Sequence, residues 1–108
     1  MTDDDARRLL KERRAALVAE DALDADARKP VTLDQESVGR LSRVDALQLQ
    51  AMAKALEQRR ISERARIDAA LRRLDEGDYG YCLSCGEEIA DARLQRDPAA
   101  TQCIVCAA

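Results

Sequence analysis

The chain contains no histidine, phenylalanine or tryptophan, and its only aromatic residues are Tyr79 and Tyr81. Without histidine there is no imidazole for general acid–base catalysis or for metal binding. With so few aromatic rings there is little surface on which nucleotide bases could stack. The sequence also lacks a constellation of nucleophile and base, so it predicts a protein that is not an enzyme.

Long apolar runs are absent as well. No stretch is apolar for long enough to span a bilayer, and the N-terminal residues Met-Thr-Asp-Asp-Asp are too acidic for a signal peptide. We therefore expect a cytoplasmic protein that makes no membrane contact. Charged residues make up 36% of the chain and apolar residues 46%, which favours long amphipathic helices over a globule with a thick core.

All four cysteines lie near the C-terminus in two CxxC pairs, Cys82/Cys85 and Cys103/Cys106. Two such pairs bring four thiolates around one ion, and soft thiolates in a tetrahedron favour zinc. Gly86, directly after the first pair, can adopt the left-handed backbone conformation that such a turn needs. Four protein ligands leave no position for water, so the sequence predicts one structural zinc ion.

Three other uses of the cysteines stay open at this stage. Two disulfides would need an oxidising compartment, to which nothing in the sequence directs the chain. A redox-active CxxC pair would normally follow a strand of a βαβ unit, and common ferredoxins use other cysteine spacings. Zinc is the metal that best fits the spacing found here.

Two helical segments precede the cysteines. The first is expected to begin at Thr2 or Asp3, since Thr2 and Asp5 have the spacing of a capping box. Pro30 disfavours helix at the residue before it, so residues 28–36 are predicted to form a connection.

The second helix is predicted from about Ser37 to Glu76, with Gly77 as its C-terminal stop. A short connection between two long helices implies that they pack antiparallel. The predicted fold class is mainly α. A long antiparallel helical hairpin, or coiled coil, occupies residues 1–76 with its tip near residues 28–45, and a small four-cysteine zinc finger follows in residues 77–108.

The shorter first helix is expected to pair with the second from the connection onward and to cover it only as far as about Ile61. The apolar residues beyond that point then need another partner, and we expect them to pack against the finger. The two sets are Ile67, Leu71 and Leu74 on the helix and Ile89, Leu94 and Ile104 in the finger. The alternative is that the helical stripe forms a dimer interface.

The charge of the chain is distributed unevenly. Residues 1–76 contain 16 basic and 16 acidic residues, whereas residues 77–108 contain 2 basic and 5 acidic residues and carry a formal charge of −3. Zinc bound to four thiolates would make this module about −5. We therefore expect no direct sequence-specific DNA binding. The arginine-rich stretch from Arg59 to Arg73 is expected to be a solvated face that pairs with acidic residues of the same helix.

The C-terminal segment resembles a known family. The residues Gly77-Asp-Tyr-Gly-Tyr-Cys82-Leu-Ser-Cys85-Gly-Glu-Glu-Ile89, with Ala92-Arg93-Leu94, Pro98 and Cys103-Ile-Val-Cys106, closely resemble the zinc finger of the DksA/TraR family. This pattern is far more specific than CxxC alone, and the helical hairpin before it also fits, as in a short member of the family. Longer members continue into a helix beyond the finger, whereas this sequence ends two residues after Cys106.

The resemblance implies a transcription regulator that binds bacterial RNA polymerase. In the family, the hairpin enters the secondary channel of the polymerase, and its tip approaches the catalytic centre and destabilises open promoter complexes. The alarmone ppGpp is the co-regulator that the resemblance implies at this complex.

At the tip, this sequence departs from the Asp-x-x-Asp-Arg-Ala signature of fully active members. The two aspartates of the signature correspond to Gly39 and Ser42, and only its arginine is matched, at Arg43. Asp34 and Asp45 supply carboxylates nearby, and a carboxylate there could act on the catalytic magnesium or on the mobile elements around it. Asp34, Asp45 and Arg43 are therefore the candidate tip residues. The structural alternatives are a helix cap for Asp34 and a surface charge for Asp45.

Two other functions stay open. The stretch from Arg59 to Arg73 could make the chain a zinc-finger nucleic-acid-binding protein, which a steep salt dependence of binding would reveal. The cysteines could make it a redox sensor, in which oxidation releases zinc and unfolds the finger.

Overall fold

The computed structural model describes residues 1–25 and 40–107, with residues 40–42 described by their backbone only. Its helices are α1 (Asp3–Leu23), α2 (Arg40–Glu76), α3 (Asp91–Arg96) and α4 (Ile104–Ala107). The molecule is elongated, with extents of 61 × 27 × 20 Å. The prediction of a mainly α protein, with a long helix pair before a cysteine-rich module, is confirmed.

The start of α1 has the predicted capping box. The Thr2 hydroxyl accepts a hydrogen bond from the Asp5 amide at 3.1 Å, and the Asp5 carboxylate accepts one from the Thr2 amide at 3.4 Å. These bonds satisfy amides that have no partner inside the helix. They also lower the pKa of Asp5, because they favour its charged form.

The end of α2 also lies where the sequence predicts it. Gly77 has a φ of +79°, which a residue with a Cβ adopts only at a cost. The Asp78 amide donates to the Arg73 carbonyl at 2.8 Å, and the Gly77 amide donates to the Leu74 carbonyl at 3.3 Å. This pair of bonds is a Schellman motif. The predicted start at Ser37 and the connection at residues 28–36 lie outside the described residues.

One apolar cluster joins the two long helices to the finger. It consists of Ala6, Leu10 and Leu17 on α1, Ile67, Ala70 and Leu74 on α2, and Ala99 in the finger. Leu10 and Ile67 are its most deeply buried large side chains, each 1% exposed. Therefore, α1 packs against the half of α2 that lies next to the finger.

This packing shows that the helix pairing predicted from the sequence is wrong. The prediction placed α1 against α2 only up to about Ile61, but Ile67 and Leu74 pack against α1. The reason is that apolar residues occur along the whole of α2, so the position of the connection alone does not determine which half pairs with α1. Because Ile67 and Leu74 are covered within one chain, they also do not form the alternative dimer interface.

The finger has a separate apolar cluster. Cys82, Ile89, Leu94 and Ala100 form it, and Met1 and Tyr79 contact both clusters. The prediction that Ile89, Leu94 and Ile104 would cover α2 is therefore wrong, since the first two are buried inside the finger and Ile104 is 72% exposed. The finger is large enough to bury its own apolar residues once its chain is folded around the cysteines.

Ion pairs connect α1 to α2 along their contact. The pairs are Arg7–Asp75 at 2.8 Å, Arg13–Glu63 at 2.7 Å and Arg14–Asp68 at 2.8 Å. The expectation that these acidic residues would pair with arginines of their own helix is therefore wrong. Exposed pairs of this kind contribute little stability, about 0–1 kcal/mol each, but together they favour one alignment of the helices.

None of the helices in residues 1–25 and 40–107 has the length and hydropathy needed to cross a membrane.

Candidate metal centre and hairpin tip

The structure brings the four cysteines together. Their Sγ atoms all lie within 4.8 Å of one another, and the Sγ atoms of Cys85 and Cys103 are 3.7 Å apart. A tetrahedron with zinc–sulfur bonds of about 2.3 Å has edges of about 3.8 Å. The spacing of the thiols therefore fits one zinc ion with four sulfur ligands and no open position.

The first CxxC pair lies in a tight turn of a short hairpin. Tyr81 and Glu88 form an isolated antiparallel bridge, and the Cys82 amide donates to the Glu87 carbonyl at 2.8 Å. The Gly86 amide donates to the Cys82 carbonyl at 2.9 Å, and Gly86 has a φ of +78°. The left-handed conformation predicted for Gly86 is confirmed, and it lets the chain reverse directly after Cys85.

The second CxxC pair is held against the first by hydrogen bonds. The Leu83 amide donates to the Thr101 carbonyl at 2.8 Å, and the Gln102 side-chain amide donates to the Ser84 hydroxyl at 2.9 Å. Arg93 donates from Nε to the Gln102 carbonyl at 2.8 Å, which ties α3 to the same segment. The hydrogen bonds of the polypeptide therefore hold the two pairs close together.

The thiols differ in their ease of ionisation. Backbone amides, that of Cys103 first and then those of Cys85 and Ser84, donate toward Cys82 and lower the pKa of its thiol to about 6. The neighbouring cysteine sulfurs, with Cys103 foremost, raise the pKa of Cys106 to about 12. Four thiolates this close repel one another, so a divalent cation is the natural means of keeping all four ionised.

One polar contact within the finger and one between the finger and α2 lie at the junction of the two. The Tyr79 hydroxyl donates to the Pro98 carbonyl at 2.7 Å, and burial raises the pKa of Tyr79 to about 12. Arg66 on α2 pairs with Asp97 after α3 at 2.9 Å. These contacts, with the shared packing of Tyr79 and Met1, orient the finger relative to α1 and α2.

The predicted tip residues are only partly within the described chain. Asp34 lies outside it, whereas Arg43 is half-buried and Asp45 is exposed near the start of α2. Two residues apart on a helix, Arg43 and Asp45 do not face each other. From Asp45 to the end of α2 at Glu76 the helix rises about 46 Å, so Asp45 stands far from the metal centre.

Two arginines of the arginine-rich stretch of α2 are engaged within the protein. Arg60 is 7% exposed and pairs with Asp24 at 2.9 Å, and Arg66 is occupied by Asp97. Sequence reasoning treated Arg60 as a solvated residue and missed its burial. A signal was available, because Arg60 lies seven residues before the buried Ile67, at the same position of a heptad repeat.

Known proteins resemble the chain in sequence over the finger. The family described as "Prokaryotic dksA/traR C4-type zinc finger" matches residues 77–108. Over 41 residues the chain is 51% identical to the RNA polymerase-binding transcription factor DksA of Haemophilus influenzae and 44% identical to that of Escherichia coli strain K12. These segments make up 38% of this chain but only 28% and 27% of those relatives, so the alignment spans under a third of their length.

A solved structure resembles the chain over nearly its whole length. The structure of transcription factor DksA2 from Pseudomonas aeruginosa matches 97% of this chain and 79% of that chain, with a TM-score of 0.80 and 29% sequence identity. The finger pattern, the gathered cysteines and this common architecture agree with the resemblance noted in the sequence, and they support one structural zinc ion. The finger thus matches the DksA/TraR C4-type zinc finger family, and the whole chain resembles DksA proteins in having such a finger after a helical hairpin.

Proposed function

We propose that this chain is a transcription regulator that binds bacterial RNA polymerase through its secondary channel and modulates open promoter complexes. The observation that carries the proposal is the architecture shared with transcription factor DksA2 over 97% of the chain. The relatives matched at the finger are named RNA polymerase-binding transcription factors, which supports the same partner. On this proposal the chain acts in the cytoplasm, as a binding protein and not as an enzyme.

Shape and charge favour a protein partner over nucleic acid. The two shorter dimensions of the molecule, 27 and 20 Å, suit a probe that enters a channel. The finger segment contains five acidic residues against Arg93 and Arg96, and four zinc-bound thiolates would add further negative charge. Phosphate backbones attract basic faces, so this finger is unsuited to them.

The parts of the chain have different roles in this proposal. Cys82, Cys85, Cys103 and Cys106 are the four zinc ligands, and the closed sulfur shell serves structure alone. Asp34, Asp45 and Arg43 are the residues that approach the polymerase active site. The alarmone ppGpp acts as a co-regulator at the complex.

Binding to polymerase is tested first with the zinc-loaded protein. A tagged form should retain core RNA polymerase from purified components, and an excess of untagged protein should compete for it. The proposed function is wrong if the zinc-loaded protein retains no core enzyme at low salt.

The tip assignment is tested by changing carboxylates to amides. The double variant Asp34→Asn/Asp45→Asn should bind polymerase as the unchanged protein does but should shorten the lifetime of open promoter complexes less. Asp78→Asn, an exposed aspartate beside the finger, is the matched control and should keep both properties. Equal inhibition by the double variant and the control would reject the tip assignment. Parallel assays with and without ppGpp would test the co-regulator.

A further inference from the structure

The buried stripe along the hairpin has a repeat of seven residues. Its buried members are Leu10 and Leu17 on α1 and Leu74, Ile67, Arg60 and Ala53 on α2. The half-buried C-cap residue Asp24 follows Leu17 at the same spacing and pairs with Arg60. Seven is the repeat of coiled coils, whose core positions are normally apolar. Asp24 and Arg60 thus form an ionic layer at the place where the next apolar layer would be expected.

Arg60 is held in this layer in a way that stability alone does not explain. It is 7% exposed, its Nη1 lies 2.9 Å from Oδ2 of Asp24, and its Nε lies 3.5 Å from Oδ1 of Asp21. Within the described part of the chain, its Nε and Nη2 have no hydrogen-bond partner. Apolar residues in place of a buried charge and its partner are often as stable or more stable, so this arrangement is better explained by specificity of helix alignment than by stability.

The end of α1 depends on this arginine for its charge balance. The last turn of α1 contains no basic residue, while Asp21 and the C-cap residue Asp24 place negative charge there. The C-terminal end of a helix is itself the negative end of its dipole, so these acids repel it. Arg60 supplies the missing positive charge from the partner helix, and a slip of one heptad, about 10 Å, would break both of its ion pairs.

We infer that the Asp24–Arg60 layer is a positioning element that sets the register of α1 on α2 beyond the apolar core. A slip by one heptad would break the pair and place either Arg60 opposite Leu17 or Asp24 opposite Ile67. A slip of one heptad would move the helices past each other by about 10 Å. The layer thereby fixes how far from the finger α1 ends at its C-cap Asp24, ten residues before Asp34 in the sequence. For its effect on transcription, this inference rests on the proposed function.

The test replaces the ionic layer with an apolar one, in the double variant Asp24→Leu/Arg60→Leu. The matched control is Arg14→Leu/Asp68→Leu, which makes the same replacement at an exposed ion pair of the same two helices, 2.8 Å long. We expect the urea midpoint of the first variant to be equal to or above that of the unchanged protein. Its affinity for polymerase should also be retained. Its effect on open-complex lifetime should fall at least about tenfold, since displacements of ångströms misplace a positioned group. The control should keep all three.

Amide NMR of the zinc-loaded protein supplies a readout that does not depend on polymerase. The unchanged protein and the control should give one set of resonances for residues 18–24, and the leucine-layer variant should give more than one. The inference is overturned if that variant gives a single set at the original positions. It is also overturned if polymerase affinity and regulatory effect fall in the same proportion. If the unchanged protein does not bind polymerase, the proposed function fails, and the spectra alone decide whether the layer sets the register.

Discussion

The observed pairing of the helices predicts that a leucine-to-alanine substitution lowers the free energy of unfolding strongly where α1 and α2 pack together and only slightly in the part of α2 that α1 does not cover. Leu10 on α1 is 1% exposed within the apolar cluster, whereas Leu49 on α2 is 66% exposed. Leu10→Ala and Leu49→Ala remove the same atoms from helical residues. Only the first opens a cavity between α1 and α2, so a comparison of the two isolates packing from helix propensity.

The expected magnitudes are well separated. Leu10→Ala should lower the free energy of unfolding by about 2–5 kcal/mol, because the lost transfer energy and the cavity add. Leu49→Ala should change it by no more than about 0.5 kcal/mol, as is usual for surface positions. For a domain of this size, each kcal/mol shifts the melting temperature by roughly 4–8 °C. The first variant should therefore melt at least about 8 °C lower.

The assay is urea unfolding followed by circular dichroism at a helix-sensitive wavelength, with free zinc held constant by a metal buffer. A fixed zinc activity is needed because metal binding contributes to the measured stability. The pairing of α1 with the finger-proximal half of α2 would be refuted if Leu49→Ala cost as much as Leu10→Ala or more. That result would instead favour the register expected from the sequence, in which α1 covers α2 up to about Ile61.

Three further predictions concern the finger and its junction with the hairpin. Removal of zinc by a chelator should collapse the amide NMR dispersion of residues 80–107 while most helical circular dichroism persists. The reason is that, among the described residues, the finger contributes one buried residue, Ala99, to the hairpin cluster. Complete loss of helix would contradict this. Tyr79→Phe should cost about 1 kcal/mol through loss of the bond to Pro98. The folded-state pKa of Tyr79 is raised to about 12, so its neutral hydroxyl should contribute fully to stability below pH 10, and this contribution should be lost as pH rises toward 12. Melting measured as a function of pH should show a smaller loss of stability in Tyr79→Phe. Gly86→Ala should lower zinc affinity about tenfold, because its φ of +78° costs a residue with a Cβ about 1–2 kcal/mol. A competition titration with a zinc-sensitive dye would measure the change, and an unaltered affinity would show that the turn tolerates the strain.

The features predicted correctly from the sequence depend on neighbours along the chain. The capping box at Thr2, the left-handed glycines after α2 and after the first CxxC pair, and the gathering of the cysteines all arise from residues that specify their own local geometry. The finger pattern is equally local, and its resemblance to the DksA/TraR zinc finger agrees with the family match over residues 77–108. Each of these patterns predicts local structure without reference to residues far away in the chain.

The pairing of the helices is different, because it depends on which distant side chains meet. Apolar residues occur from Val44 to Leu74 on α2, so both halves of that helix offer α1 a surface. The position of the connection favours the half of α2 before Ile61, whereas in the structure α1 packs against the half next to the finger. The heptad that contains Arg60 could have decided the matter, because Asp24 is the complementary charge at the same spacing from Leu17 on α1.

On the proposed function, the two sides of Arg60 have different tasks. The apolar cluster, the interhelical ion pairs and the Tyr79–Pro98 bond all lie on the finger side of Arg60. Asp45 lies on the other side of Arg60, about 22 Å farther along α2. Changes at the finger should therefore act mainly on how the protein is held by its partner, and changes at Asp45 on what the hairpin does once it is bound. Arg60 lies at the boundary, so replacing it together with Asp24 is expected to weaken the regulatory effect without lowering stability.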